Sequence, residues 1–85
     1  IGLRFRTNNT TKMIISDAGK VGIGIGDSSP SAFLHLLAGT ATANTAPLKL
    51  TSGTNLTTPE NGAMEFDGTN LYFTVGGVRK TIQLL

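Results

Sequence analysis

Short stretches in which apolar and polar residues alternate recur along the chain, and they predict β-strands. Residues 3–6 alternate apolar side chains with arginines, and residues 12–15 form a second short apolar stretch. A period of two places every second side chain on the same face of a strand. Turn-forming residues at 8–11 and 16–19 separate these stretches. We therefore predict short strands joined by tight turns.

Residues 21–26 read V-G-I-G-I-G, so that β-branched residues and glycines alternate. In an unbroken strand the β-branched side chains share one face and the glycines form the other. A strand face made of glycine lets another segment approach its backbone closely. We predict a close neighbour there, for which a neighbouring chain is one candidate. The interface residues predicted in this segment are Val21, Gly22, Ile23, Gly24 and Ile25.

The same glycines suggest a phosphate-binding loop, but the spacing does not fit one. The dinucleotide pattern G-x-G-x-x-G, started at Gly22, needs a glycine at position 27, where Asp27 stands. No helix start follows the strand, although that pattern requires one. Close strand packing is the favoured interpretation.

A repeat of one strand and one glycine turn occupies the middle of the chain. Residues 34–40 and 48–54 both read L-x-L-x-x-G-T, and shortened copies begin at Met64 and Leu71. Units of this kind bury little alone and build meanders or stacked fibres. The repeat adds further residues to the predicted interior, namely Leu34, Leu36, Leu48 and Leu50.

Two neighbouring segments carry weaker patterns. For residues 34–38 we favour a strand, and a short helical turn at 30–33 is the alternative. Residues 41–47 contain no large apolar side chain, and we predict an extended connector there.

The last quarter of the chain carries the clearest pattern. Asp67-Gly68 separates two alternating stretches, which is a strong hairpin signal. Gly76-Gly77 predicts a second tight turn, which leads into residues 78–84. The result is a three-stranded antiparallel meander, with Phe66, Leu71 and Phe73 in its interior.

These patterns predict an all-β chain of short strands and tight glycine turns in three parts. Residues 1–37 form an N-terminal strand–turn module, and residues 38–62 form an extended Thr/Ala-rich connector with a strand repeat. Residues 63–85 form a C-terminal antiparallel β-meander.

Composition narrows the function classes. The net charge is only +2, and the basic residues are scattered, which disfavours nucleic-acid binding. No apolar run approaches the roughly 20 residues that cross a bilayer, so we predict no membrane insertion. The chain has no cysteine, which excludes disulfides and thiolate metal sites and leaves oligomerisation as the means of stabilising so small a domain. Because it begins at Ile1, we expect a longer polypeptide.

Candidate catalytic and ligand groups are few. Glu65 and Asp67 share a strand face, but the turn explains Asp67, and Glu65 alternates with apolar neighbours. No Ser-His-Asp set stands out, so we predict no enzyme, no cofactor and no metal. His35, the one histidine, is interpreted as packed or on the surface, and whether it binds an ion on a symmetry axis stays open. Tyr72, Phe66 and Phe73 suggest a sugar-stacking platform, with Tyr72 facing solvent, but an ordinary cross-strand pair is favoured.

Two long segments resemble modules of bacteriophage tail fibres and related surface proteins. Residues 12–24 read K-M-I-I-S-D-A-G-K-V-G-I-G and residues 29–36 read S-P-S-A-F-L-H-L. Residues 60–73 read E-N-G-A-M-E-F-D-G-T-N-L-Y-F, and R-K-T-I follows at 79–82. The resemblance covers nearly the whole chain. It departs from the usual form at 25–27, where Thr-Thr or Asn-Thr is commoner, and at Phe33, where Lys is commoner.

The resemblance implies a homotrimeric fibre whose strands are intertwined or packed around a three-fold axis. It implies a place on a virion or another extracellular surface, and contact with a host receptor or glycan through the parent fibre. We therefore expect a structural segment of a trimeric phage tail fibre, or of a similar surface fibre, that supports host attachment. The alternative is a receptor- or glycan-binding adhesin module. The short loops predicted from the sequence favour the fibre.

Overall fold

The computed structural model describes residues 2–85, and within them the chain forms seven strands and no helix. The all-β prediction is thus confirmed, and the helical alternative at residues 30–33 does not form. Nothing in residues 2–85 is a helix long and apolar enough to span a membrane. The strands are β1 (Leu3–Thr7), β2 (Thr10–Ile15), β3 (Val21–Ile23), β4 (Leu34–Leu36), β5 (Met64–Phe66), β6 (Leu71–Val75) and β7 (Val78–Ile82).

The strands belong to two separate sheets, each in its own compact unit. The first unit ends at Pro47 and holds a four-stranded sheet in the order β1-β2-β3-β4. The second unit, Leu48–Leu85, holds a three-stranded sheet in the order β5-β6-β7. The boundary lies inside residues 38–62, which the sequence pattern predicts as one connector.

The first sheet begins with a tight hairpin. Asn8 and Asn9 have positive φ angles of 51° and 59°, and such a turn matches the twist of paired strands. β2 and β3 continue antiparallel, whereas β4 lies parallel to β3 after a connection through residues 24–33. The paired residues line up across the four strands in three rows, which we call rungs. Side chains of the two outer rungs project from one face of the sheet, and those of the middle rung project from the other.

The middle rung forms the small core of the first unit. It consists of Arg4, Ile14, Gly22 and His35. Ile14 is only 3% exposed, and Gly22 is buried. Residues 24–33 cover this rung: Arg4 pairs with Asp27 at 2.9 Å, and the Ser31 amide donates to His35 Nδ1 at 3.1 Å. The chain therefore covers this face of the sheet with its own loop.

Strand β3 ends at Ile23, earlier than the alternation predicts, because the backbone turns at Gly24 (φ +83°). Ile25 therefore crosses to the glycine face. A Cβ placed on Gly22 would lie 2.6 Å from Ile25 Cδ1 and 3.2 Å from an Ile14 methyl. The close neighbour of Gly22 is thus its own chain, and the prediction that Ile25 shares a face with Ile23 is wrong.

The second sheet confirms the predicted meander. The Asp67 amide donates to the Asn70 carbonyl at 3.3 Å, and Phe66 pairs with Leu71. Gly76 and Gly77 form a two-residue turn with φ angles of 61° and 76°. Both predicted hairpins therefore form at their glycines, where positive φ costs no steric clash.

The middle of the chain differs from the prediction. Residues 37–63 contain no strand, so the second repeat copy does not form one, although its Gly53 amide donates to the Phe66 carbonyl at 3.0 Å. Residues 41–47 are not extended but turn at Asn44 (φ 69°), where Thr45 Oγ1 lies 2.7 Å from the Thr42 carbonyl oxygen. Leu34–Leu36 is a strand because β3 offers it an edge, whereas Leu48 and Leu50 have the same alternation without such a partner.

Replacing Gly22 with Val tests the packing of Ile25. The added side chain would collide with Ile25 and Ile14, and overpacking of this kind costs about 1–3 kcal/mol of unfolding free energy. Denaturant unfolding followed by circular dichroism measures the loss. The control is Gly53→Val, because an added Cβ there meets only the Thr51 carbonyl oxygen at 3.9 Å. Equal stabilities of the two variants would contradict this packing.

Candidate functional site

The outer two rungs of the first sheet form a continuous apolar surface, which we call the first apolar face. Its side chains come from all four strands and carry no polar group. Four of them are strongly exposed: Leu3 at 54%, Phe5 at 47%, Ile23 at 44% and Leu34 at 57%. The others are half-buried. The first apolar face comprises Leu3, Ile15, Val21 and Leu34 in one rung and Phe5, Met13, Ile23 and Leu36 in the other.

Residues 38–47 border the first apolar face at one edge. A hollow of mainly apolar lining lies there between Ile23, Leu36 and Pro47. Its wall includes Leu37, which is exposed and also sits 2.9 Å from a Cβ placed on Gly24. Residues 38–47 therefore add apolar surface next to the first apolar face and do not cover it.

The second unit repeats this arrangement with different residues. One face of its sheet, the second apolar face, is exposed at Met64, Phe73, Val75 and Val78. Lys80 also lies on this face, in register with Phe73. Apolar side chains from outside the sheet line a hollow with it. The complete face consists of Met64, Phe66, Leu71, Phe73, Val75, Val78 and Ile82, bordered by Leu48, Leu50 and Leu84.

The opposite face of the second sheet is polar and is covered by residues 53–63. Glu65 accepts hydrogen bonds from the Leu56 amide at 2.6 Å and from Arg79 Nε at 3.0 Å. Arg79 also donates to the Leu56 carbonyl. We call this arrangement the clasp. Thr74, at 1% exposed, lies under the same cover, where its backbone bonds to Gly62 and Ala63.

Hydrogen bonding in the clasp holds Glu65 in its ionised form. The Leu56 amide, followed by the Arg79 guanidinium, lowers the pKa of Glu65 below its ordinary value. Both carboxylate oxygens are engaged, at side-chain exposures of 12% for Glu65 and 21% for Arg79. A general acid needs a raised pKa and a free oxygen, so this carboxylate suits a structural role.

Asp67 and Tyr72 are also engaged with each other. Asp67 Oδ1 accepts the Thr69 and Asn70 amides at 2.9 Å, and Oδ2 accepts the Tyr72 hydroxyl at 3.0 Å. The Asn70 and Thr69 amides lower the pKa of Asp67. Tyr72 is half-buried on the covered face, which disagrees with the prediction of a solvent-facing ring for sugar stacking.

Metal-binding groups do not gather in the part of the chain that the structure describes. Within residues 2–85, no three His, Cys, Asp or Glu side chains come close enough to hold an ion. His35 accepts from the Ser31 amide on the covered face of the first sheet.

The structure divides the predicted interface residues into three groups. The first apolar face contains Val21, Ile23, Leu34 and Leu36. The second apolar face contains Phe66, Leu71 and Phe73 and is bordered by Leu48 and Leu50. The predicted residues that lie on neither face are Gly22, Gly24 and Ile25.

Sequence reasoning missed half of the first apolar face. Leu3, Phe5, Met13 and Ile15 join it because the Asn8-Asn9 turn sets Leu3 opposite Ile15 and Phe5 opposite Met13. That pairing was readable from the alternation on both sides of the turn. The clasp had no comparable signal, since its members are far apart in the sequence and the Leu56 groups belong to the backbone.

Comparisons with known proteins give little. No protein-family model matches the chain, and no curated protein matches it. One solved structure, described as a novel hyaluronidase from Streptomyces koganeiensis, aligns with 21% identity and a TM-score of 0.39. The alignment covers 100% of this chain and 44% of that one, so the chain spans less than half of its length. We draw no function from a likeness this low.

The clasp predicts a pH dependence of stability. Because folding lowers the pKa of Glu65 from 4.5, its contribution is complete above about pH 4.5 and is lost as the pH falls through the lowered value. The free energy of unfolding should therefore fall on acidification, and it should fall less steeply in Glu65→Gln. Denaturant titrations at steps of about one pH unit, from roughly pH 3 to pH 6, measure the pH dependence of the unfolding free energy in the parent chain and in the variant.

Glu60→Gln is the matched control, because it removes an exposed carboxyl of the same unit outside the clasp. If Glu65→Gln and Glu60→Gln reduce the pH dependence of the unfolding free energy equally, the clasp is not the source of that dependence.

Proposed function

We propose that this chain is a structural segment of a trimeric fibre of the phage tail-fibre kind, or of a similar surface fibre. The observation that carries the proposal is the distribution of apolar side chains. Among the large apolar residues of the described range 2–85, Ile14 is the one that is buried, while fifteen others are exposed. A folded monomer of this kind would leave most of its hydrophobic stabilisation unused.

Association with further copies accounts for this distribution. Small domains with too little core are stabilised by disulfides, metals or oligomerisation. The chain has no cysteine, and residues 2–85 form no cluster of metal ligands. Two sheets, each with one covered face and one open apolar face, suit a segment whose hydrophobic core forms between chains.

The number of copies and the setting rest on the sequence resemblance. Residues 12–36 and 60–82 resemble modules of trimeric fibres on virions and cell surfaces. On that basis we propose three copies around an axis, an extracellular or virion location, and a part in host attachment through the parent fibre.

A structural role also fits the long middle segment better than ligand binding does. The connection from β4 to β5 runs through residues 37–63, so the loops are not uniformly short as the sequence predicts. A long loop would suit an adhesin. Yet its last part is held down by the clasp and by Asn61, which accepts the Gly77 amide at 2.6 Å. The carboxylates of Asp27, Glu65 and Asp67 likewise serve structural bonds, and we propose that the chain has no enzymatic activity.

Light scattering of the 85-residue chain tests the proposal. We expect a particle of about three times the chain mass of 8.8 kDa, with a melting temperature that rises with protein concentration. A folded, stable monomer at micromolar concentration would overturn the proposal. A dimer or an open filament would retain the structural role but overturn the trimer.

A further inference from the structure

We propose that copies of this chain pack against one another through the first apolar face, while the glycine face is reserved for the chain's own loop. The inference rests on the proposed function and adds to it the surface that is used. It also reverses the expectation from the sequence, in which the neighbour lies against Gly22.

The chain's own loop already occupies the covered face around Gly22. Ile25 Cδ1 lies only 2.6 Å from where a Cβ of Gly22 would be, and Pro30 of the same loop is buried. The ion pair of Arg4 with Asp27 and the bond from Ser31 to His35 further tie the loop to the sheet. A partner would have to displace this loop, whereas the opposite face needs no rearrangement.

The first apolar face has the size and chemistry of an interaction surface. Its four most exposed side chains alone leave on the order of 400 Å² of apolar area to solvent, which already equals the largest apolar patch on a typical monomer, and the four half-buried side chains add to it. The two rungs present only Leu, Ile, Val, Met and Phe side chains. A polar small molecule would find no hydrogen-bond partner among them.

The solvent-accessible surface of the whole chain is also larger than that of compact bodies of the same mass. The chain exposes 6491 Å². Two separate compact bodies of the two unit sizes would together expose only about 5,700 Å² by the scaling of surface with mass. The excess, roughly 800 Å², means that the chain leaves more surface open to solvent than compact bodies of its two unit sizes do.

A second copy is the occupant that this face fits best. In the proposed three-copy assembly the first apolar face of every copy would turn toward the common axis, so that interdigitating apolar side chains of all copies form one core. The net charge of +2 opposes association of identical chains only weakly. Of the charged residues of the sheet, Arg4 lies on the covered side, where it pairs with Asp27 of the loop, and Arg6 and Lys12 lie outside the two rungs.

Charge substitutions on the face test the assignment. Ile23→Asp and Leu34→Asp would each bury an unpaired carboxylate between copies, and we expect at least tenfold weaker association of the full 85-residue chain by light scattering. The matched control is Phe33→Asp, because Phe33 is 77% exposed but is the last residue of the loop and lies outside both rungs. It should associate like the parent chain.

Crosslinking keeps the test valid if an Asp variant fails to fold. The chain has no cysteine, so Ile23→Cys introduces a unique thiol on the face, and Phe33→Cys introduces one off it. A bis-maleimide spanning about 10 Å, the separation of packed sheets, should join copies of the first variant much faster than copies of the second.

The outcomes separate the two proposals. A parent chain that stays monomeric overturns the proposed function and this inference together. A parent chain that associates, with Asp variants that associate equally well and no preferential crosslinking at position 23, overturns this inference alone. Loss of association in both Asp variants, with rapid crosslinking at position 23, supports it.

Discussion

The packing of Ile25 onto Gly22 decides which side of the first sheet faces outward. Because position 22 has no side chain, the loop after β3 can turn back and lie directly on the sheet. Ile14 becomes buried under that loop, and the Arg4–Asp27 pair closes over it. With one face occupied in this way, every other apolar side chain of the four strands is left on the opposite face. The open apolar surface is thus a consequence of how this small core is made.

The second unit reaches the same result with polar contacts. Residues 53–63 cover one side of the meander, held by the clasp, and the apolar side chains emerge on the other side. In both units the polypeptide covers the face that carries its small or polar residues. A typical globular domain does the opposite, because its own segments cover the apolar face of each sheet. The reversal is what supports a core shared between copies.

Local patterns predicted the elements well and their surroundings less well. The Asp67-Gly68 and Gly76-Gly77 hairpins formed as predicted, because their turn residues and alternation act over a few positions. The pattern at 21–26 failed after Ile23, because a glycine that permits a strand also permits the turn that ends it. The repeat at Leu48–Leu50 failed because alternation alone does not decide pairing, and these two leucines border the second apolar face without forming a strand. For the candidate site, periodicity identified individual apolar positions but left unclear which face the chain would cover for itself.

The order of the strands has a consequence for the route by which the molecule forms. Each strand pairs with the one next to it in the sequence, so no pairing has to close a long loop. Contacts between near neighbours in sequence carry a small entropic cost and form fast. We therefore expect the sheets to take shape within single chains before chains meet. If the chain assembles as proposed, the association step would then be a collision between surfaces that already exist, and its rate would depend on the protein concentration and not on how quickly each chain becomes ordered.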